Sequence, residues 1–178
     1  MLSSRSLPAV VALVATIGCG ATAGSDAPET DSGLAPLTAL ASDTLLPSAA
    51  LPLLRDGGTL TTDELRGSPA VINFWATWCA FCVEEMPDLQ ALHEEMGDEV
   101  RFIGVDREDD DERALRLADG TGVTYDLVSD RDGSFFRAVQ ARGMPTTLLV
   151  DADGIIRLRH TGPVTEDQLR DLIEAHLR

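Results

Sequence analysis

The chain has 178 residues and a mass of 19.0 kDa, enough for one ordinary domain and too little for two. Apolar side chains make up 44% and charged ones 25%, so the chain can bury a real core. Its 14 basic side chains, every one an Arg, stand against 30 acidic ones. The formal charge of -16 argues against binding nucleic acid or an anionic membrane through a basic face.

The chain begins with a short segment carrying Arg5, and an apolar run from Leu7 to Ile17 follows, closed by Gly18-Cys19. A charged start, a short apolar run and a small-residue end describe a secretory signal. The run is too short to cross a bilayer, which takes ~20 apolar residues. Thr16-Ile17-Gly18-Cys19 resembles a bacterial lipobox, and the resemblance implies that Cys19 becomes a lipid-carrying N-terminus. The alternative is cleavage after Ala21-Thr22-Ala23 and soluble secretion; either route puts the domain outside the cytoplasm. Residues 20–45 are rich in Ala, Thr, Ser, Gly, Asp and Pro and show no apolar periodicity. They read as a flexible tether between a leader at 1–19 and a domain at 46–178.

Within the domain, Leu51–Arg55 and Thr59-Leu60 flank Asp56-Gly57-Gly58, a hairpin signal, and Thr62–Arg66 reads as a short helix. Ala70–Trp75 is an apolar run broken only by Asn73 and reads as a buried central strand. The helix expected from Cys79 to Met96 puts Cys82, Met86, Leu89, Leu92 and Met96 on one face, with a kink expected at Pro87. A strand at Val100–Val105, an acidic helix at Asp109–Ala118, a strand at Tyr125–Val128 and a helix at Gly133–Ala141 come next. Thr146–Val150 and Ile155–His160 flank a second turn signal, Asp151-Ala152-Asp153-Gly154. Thr165 and Gln168 form a capping-box pattern opening the last helix. The acidic run from Glu108 to Glu112 reads as a solvated helix start. Strands alternating with helices and closing on a hairpin and a helix predict a mixed α/β sandwich.

Two of the three Cys sit in Trp78-Cys79-Ala80-Phe81-Cys82, directly after the buried strand and at the start of a helix. A helix N-terminus offers unpaired N–H groups and a positive dipole end, which favour thiolate over thiol. Cys79 is therefore expected to be the exposed nucleophile and Cys82 the resolving thiol, the pair exchanging two electrons with a substrate disulfide. A zinc site would need four ligands, and only His93, His160 and His176 remain to supply them. A purely structural bridge would close too short a loop to stabilise the fold much.

These residues resemble the TlpA/ResA-type thioredoxin-like proteins. The resemblance rests on Val71-Ile72-Asn73-Phe74-Trp75-Ala76-Thr77-Trp78-Cys79, on Cys82, on Glu85-Met86-Pro87, on Gly143-Met144-Pro145-Thr146-Thr147 and on Val150-Asp151-Ala152-Asp153-Gly154. It runs from Leu51 to Leu177. It implies a thioredoxin-like fold, a central mixed β-sheet flanked by helices with an N-terminal β-hairpin extension. It also implies an extracytoplasmic, membrane-tethered thiol–disulfide oxidoreductase working on exported proteins, apocytochrome c among them. A membrane electron carrier would recharge it, and no metal or organic cofactor is implied beyond the Cys79–Cys82 disulfide itself. By the same resemblance Pro145 is a cis-proline beside Cys79, Glu85 assists proton transfer, and Asn73 stands where thioredoxin has a buried acid. Ala80-Phe81 departs from the family, in which Pro usually precedes the second Cys. Trp78, Phe81, Met144 and Pro145 are the expected client surface. Two rival readings on the same fold are a thiol peroxidase and a copper-carrying module.

Overall fold

The computed structural model describes residues 38–178, with side chains from residue 43 onward; Cys19, the rest of the expected leader and residues 20–37 lie outside the described residues. The elements run β1 (Thr38–Leu45), β2 (Ala50–Pro52), β3 (Thr59–Thr61), a 3₁₀ turn (Thr62–Leu65), β4 (Ala70–Trp75), α1 (Ala80–Met96), β5 (Arg101–Arg107) and α2 (Asp111–Thr121). They continue with β6 (Asp126–Asp130), α3 (Ser134–Ala138), β7 (Thr146–Val150), β8 (Ile155–Thr161) and α4 (Glu166–Leu177).

Six strands form one mixed sheet in the order β1-β8-β7-β4-β5-β6. β4, β5 and β6 run parallel, while β7 is antiparallel to β4 and to β8, and β8 to β1. Every residue of β4 is buried because apolar layers cover both sides of it. Val71 and Trp75 face a cluster built with Met86, Leu89 and Leu92 of α1, Ala114 and Ala118 of α2, and Leu169 and Ile173 of α4. Ala70, Ile72 and Phe74 face the other cluster, built with Leu51, Leu60 and Leu65 and with Phe135 and Phe136 of α3. In the middle of β5, Gly104 leaves room that a side chain would fill: an added Cβ would lie 2.7 Å from Leu127 Cδ2, 3.0 Å from Tyr125 Cε2 and 3.2 Å from Trp75 Nε1. The missing side chain lets those large groups, Trp75 of β4 among them, close over β5.

The expected tether ends earlier than its composition suggests. Residues 38–45 pair antiparallel with β8 from Thr38↔Thr161 to Leu45↔Ile155, so the domain already includes Thr38 and the boundaries at 45 and 46 are corrected. An edge strand can be held by backbone hydrogen bonds to its one neighbour, and these leave no apolar alternation in the sequence. The opposite edge is protected too. The β2–β3 hairpin forms as expected, and the loop joining its strands lies against β6 through the Leu53↔Val128 bridge and a 2.8 Å bond from Leu54 N to Leu127 O.

Two helices differ in extent from the sequence reading. α2 starts at Asp111 rather than Asp109 because Asp110 is its N-cap, its side chain accepting from Arg113 N at 3.2 Å. α3 is only five residues long, since Gln140 turns into left-handed backbone at φ 59°. Its start is held from outside: the buried Asp130 carboxylate accepts from Phe135 N at 3.0 Å and Phe136 N at 2.8 Å. Those two Phe rings lie 5.5 and 5.3 Å from the ring of Phe74. Asp130→Ala leaves both N–H groups without that acceptor, and we expect a loss of about 2 kcal/mol in urea unfolding. An unchanged midpoint would mean that packing alone positions α3. At the other end of the chain the capping box forms as read, Thr165 and Gln168 each bonding the other's backbone N–H.

Candidate active site

β4 ends at Trp75, and the next four residues turn into α1. Cys79 N donates to Ala76 O at 3.1 Å, so Ala76 to Cys79 form a tight turn with Thr77 and Trp78 at its centre. Cys79 is the N-cap of α1, and Cys82 N points at Cys79 Sγ from 3.3 Å. That N–H and the positive end of the helix stabilise negative charge on Cys79 in preference to Cys82. The two sulfurs are joined at 2.04 Å. Cys79 retains 8% exposure and Cys82 none, so only Cys79 can be reached from outside. α1 runs through Pro87 as one continuous element.

Trp78, just before the pair, and Phe81, between its two members, are 58% and 60% exposed. Large apolar side chains left in water mark a contact surface. Met144 is half-buried against both core clusters, and the Met144–Pro145 peptide is cis. Thr146 pairs with Phe74 in the antiparallel β4–β7 ladder, which brings Pro145 to the end of β4 from which the Cys turn departs. Pro145 O is held by Gly162 N at 2.9 Å, and Thr146 Oγ1 donates to Gly143 O at 2.7 Å.

Glu85 lies one turn after Cys82 on the same helical face and is 3% exposed, whereas Glu84 and Glu94 are exposed. Its carboxylate accepts from Asn73 Nδ2 at 2.7 Å and from Val164 N at 2.9 Å. Burial is the larger influence and pushes the Glu85 carboxyl up to about 7, against the pull of those two donors. A group poised there can both take and return a proton near neutral pH. Asn73 Nδ2 also meets Thr147 Oγ1 at 3.1 Å, and Asn73, Thr147 and His160 lie opposite one another across β4, β7 and β8. His160 is fully buried, and that burial depresses its pKa. Among the described residues no three His, Cys, Asp or Glu side chains are grouped to hold a metal ion.

One part of the site was not legible in the sequence. Asp109, in the run expected to be solvated, is buried, and its carboxylate accepts from Thr77 N at 2.5 Å and from Thr77 Oγ1 at 2.8 Å. The run is thus a solvated helix start only from Asp110 onward; Asp109 faces the Cys turn.

The AhpC/TSA family model matches residues 43–159. The thiol:disulfide interchange protein DsbE of Pseudomonas fluorescens biotype C is 36% identical over 130 residues, covering 72% of this chain and 71% of that protein. The thiol-disulfide oxidoreductase ResA of Halalkalibacterium halodurans is 31% identical over 120 residues, covering 67% of this chain and 68% of that one. A thioredoxin-family thiol:disulfide interchange protein from Chlorobium tepidum superposes with a TM-score of 0.68 over 78% of this chain and 99% of that one at 22% identity, which speaks to the fold. The dsbF protein of MTB, solved in mixed oxidised and reduced forms, gives a TM-score of 0.66 at 27% identity, covering 71% of this chain and 93% of that one. Fold, motif and relatives agree: the chain belongs to the AhpC/TSA family and is a thioredoxin-fold thiol–disulfide oxidoreductase of the DsbE and ResA type.

Proposed function

We propose that this oxidoreductase works outside the cytoplasm, tethered to a membrane through Cys19 and the segment that follows, and reduces disulfides of exported proteins. The observation that carries the reading is the placement of Cys79 at the N-terminus of α1, the outer member of a Cys pair whose inner member has the buried Glu85 behind it. The Cys79 thiolate attacks a client disulfide, forming a mixed disulfide and releasing the first client thiolate. Glu85 takes the proton from Cys82, and the Cys82 thiolate attacks Cys79 Sγ. The Cys79–Cys82 bridge forms, and the second client sulfur leaves with the two electrons. A dithiol carrier in the membrane then reduces the bridge by the same exchange in reverse.

The apolar surface of Trp78, Phe81 and Met144 suits an extended, unfolded client segment, whose backbone can pair beside Pro145. Apocytochrome c is a client of this kind. The absence of Lys or Arg from Thr77 to Glu95, together with Glu84, Glu85 and Asp88, favours donation of electrons over acceptance, because a less stabilised thiolate makes a better reductant. No metal or organic cofactor takes part in this cycle.

The test is Cys82→Ser, which keeps the attacking sulfur and removes the resolving one. Expressed as the full chain with its leader, it should accumulate client proteins linked through Cys79 and released by a reducing agent. The Cys79→Ser, Cys82→Ser double variant should hold none. Recovery of no linked proteins, with the variant folded and exported, overturns the reading.

A further inference from the structure

Asp106 is the second-last residue of β5, opposite Trp75 of β4 and Ser129 of β6. It is fully buried, and neither carboxyl oxygen meets a donor among the described residues. A buried carboxylate without donors is strongly unfavourable, so the group calls for an explanation. The charged groups facing it are Asp109 from the β5–α2 loop, Asp111 from the start of α2 and Arg131 from the segment after β6. Arg131 is committed to Asp111 at 3.0 Å, and Ser129 Oγ donates to Asp111 Oδ1 at 3.2 Å. Asp109 remains, and it is the carboxylate that accepts both the N–H and the hydroxyl of Thr77. A carboxyl group keeps its proton when it is buried beside another acid, and it then has a hydrogen to give to that acid.

We propose that Asp106 and Asp109 are positioning residues that clamp the Ala76–Cys79 turn. Asp106 keeps its proton and donates it in a hydrogen bond to Asp109, and Asp109, fixed from behind, holds Thr77. The turn so fixed carries Trp78 at its centre and Cys79 at its end, which sets where the client contact and the attacking sulfur stand. Burial, with Asp109 and Asp111 adding to it, pushes the Asp106 carboxyl up to about 8. Once that proton leaves, two negative groups face each other, Asp109 is driven away from its place and the clamp loosens. This inference rests on Cys79 being the attacking sulfur, as proposed above, but one of its two tests does not.

That test uses the oxidised full chain, in which neither Cys79 nor Cys82 titrates. The Thr77 amide resonance, held by Asp109, should move in a single step with a midpoint near 8. Asp106→Asn keeps a buried donor for Asp109 and has no proton to lose, so it should abolish the step. The second test compares the rate at which the reduced protein cleaves a model disulfide peptide across the same pH range. The wild type should match Asp106→Asn at low pH and fall about tenfold behind it on the alkaline side. Asp109→Ala should be slower at every pH. A Thr77 amide shift that stays flat through this range, or wild-type and Asp106→Asn rates in constant ratio, overturns the clamp. The amide result stands whether or not the protein acts on exported clients.

Discussion

Cys79→Ser should abolish disulfide exchange, lowering the rate by more than about a thousandfold, and should leave the domain folded. The nucleophile in exchange is a thiolate, and a serine hydroxyl at the same N-cap stays protonated at any working pH. Cys82→Ser should behave differently. Its Cys79 sulfur still attacks, but nothing inside the protein completes the cycle, so it stops at the mixed disulfide. Stability should separate neither variant from the reduced wild type. The bridge spans a sequence separation of only 3. Closing so short a loop is worth about 2 kcal/mol in the unfolded-state entropy account. The two apolar clusters on either side of β4 persist without it. Urea midpoints of the reduced wild type, Cys79→Ser and Cys82→Ser should therefore coincide, with the oxidised wild type modestly above them. Measurable turnover by Cys79→Ser would place the attacking sulfur elsewhere.

The parts of the fold that were legible in the sequence are those where side chains set the structure. β4 reads as six consecutive buried residues because both its faces meet apolar layers, and the last helix reads from Thr165 and Gln168 because a capping box is a local device. β1 was hidden for the opposite reason: its place on the sheet comes from pairing with β8, more than a hundred residues away in sequence. The same division holds in the site. Cys79 and Cys82 lie within one turn of one helix, so spacing alone brings them together. Glu85 could be put on their face by periodicity, but its burial depends on Asn73 of β4 and Val164 before α4 closing over it. Asp109 and Thr77 come from different strand ends that meet only because β4 and β5 run parallel and side by side. An acidic run carries no mark of which member turns inward; here left-handed backbone at Glu108, φ 63°, precedes the residue that does.

Glu85→Gln should change both the pH dependence of stability and the step that releases the client. In the folded protein the Glu85 carboxyl sits at about 7 against an unperturbed 4.5. Below about 4.5 the group is protonated whether the chain is folded or not, and it leaves stability untouched. Between those values the folded state holds a proton that the unfolded state releases, so stability falls as pH rises. Above about 7 the loss is complete and amounts to roughly 3 kcal/mol. Gln has no such titration, so the variant should be more stable than the wild type at pH 8 and equal to it or weaker at pH 4. Its amide can be satisfied in place. Gln Oε1 can accept from Val164 N, and Gln Nε2 can donate to Asn73 Oδ1, which has no partner among the described residues, once the Asn73 amide turns over. The same turnover lets a protonated Glu85 donate to Asn73, with Thr147 supplying either a donor or an acceptor. Asn73 thus accommodates both protonation states of its neighbour, which a second carboxylate there would not do without repulsion. In kinetics the variant should attack a client disulfide at the wild-type rate, since Cys79 makes that step. It should then release the client about a hundredfold more slowly near pH 7, because Cys82 has lost the base that ionises it. Quenched single-turnover assays of mixed-disulfide formation and decay separate the two steps. Normal decay, or a stability-against-pH curve identical in shape to that of the wild type, would remove Glu85 from the proton path.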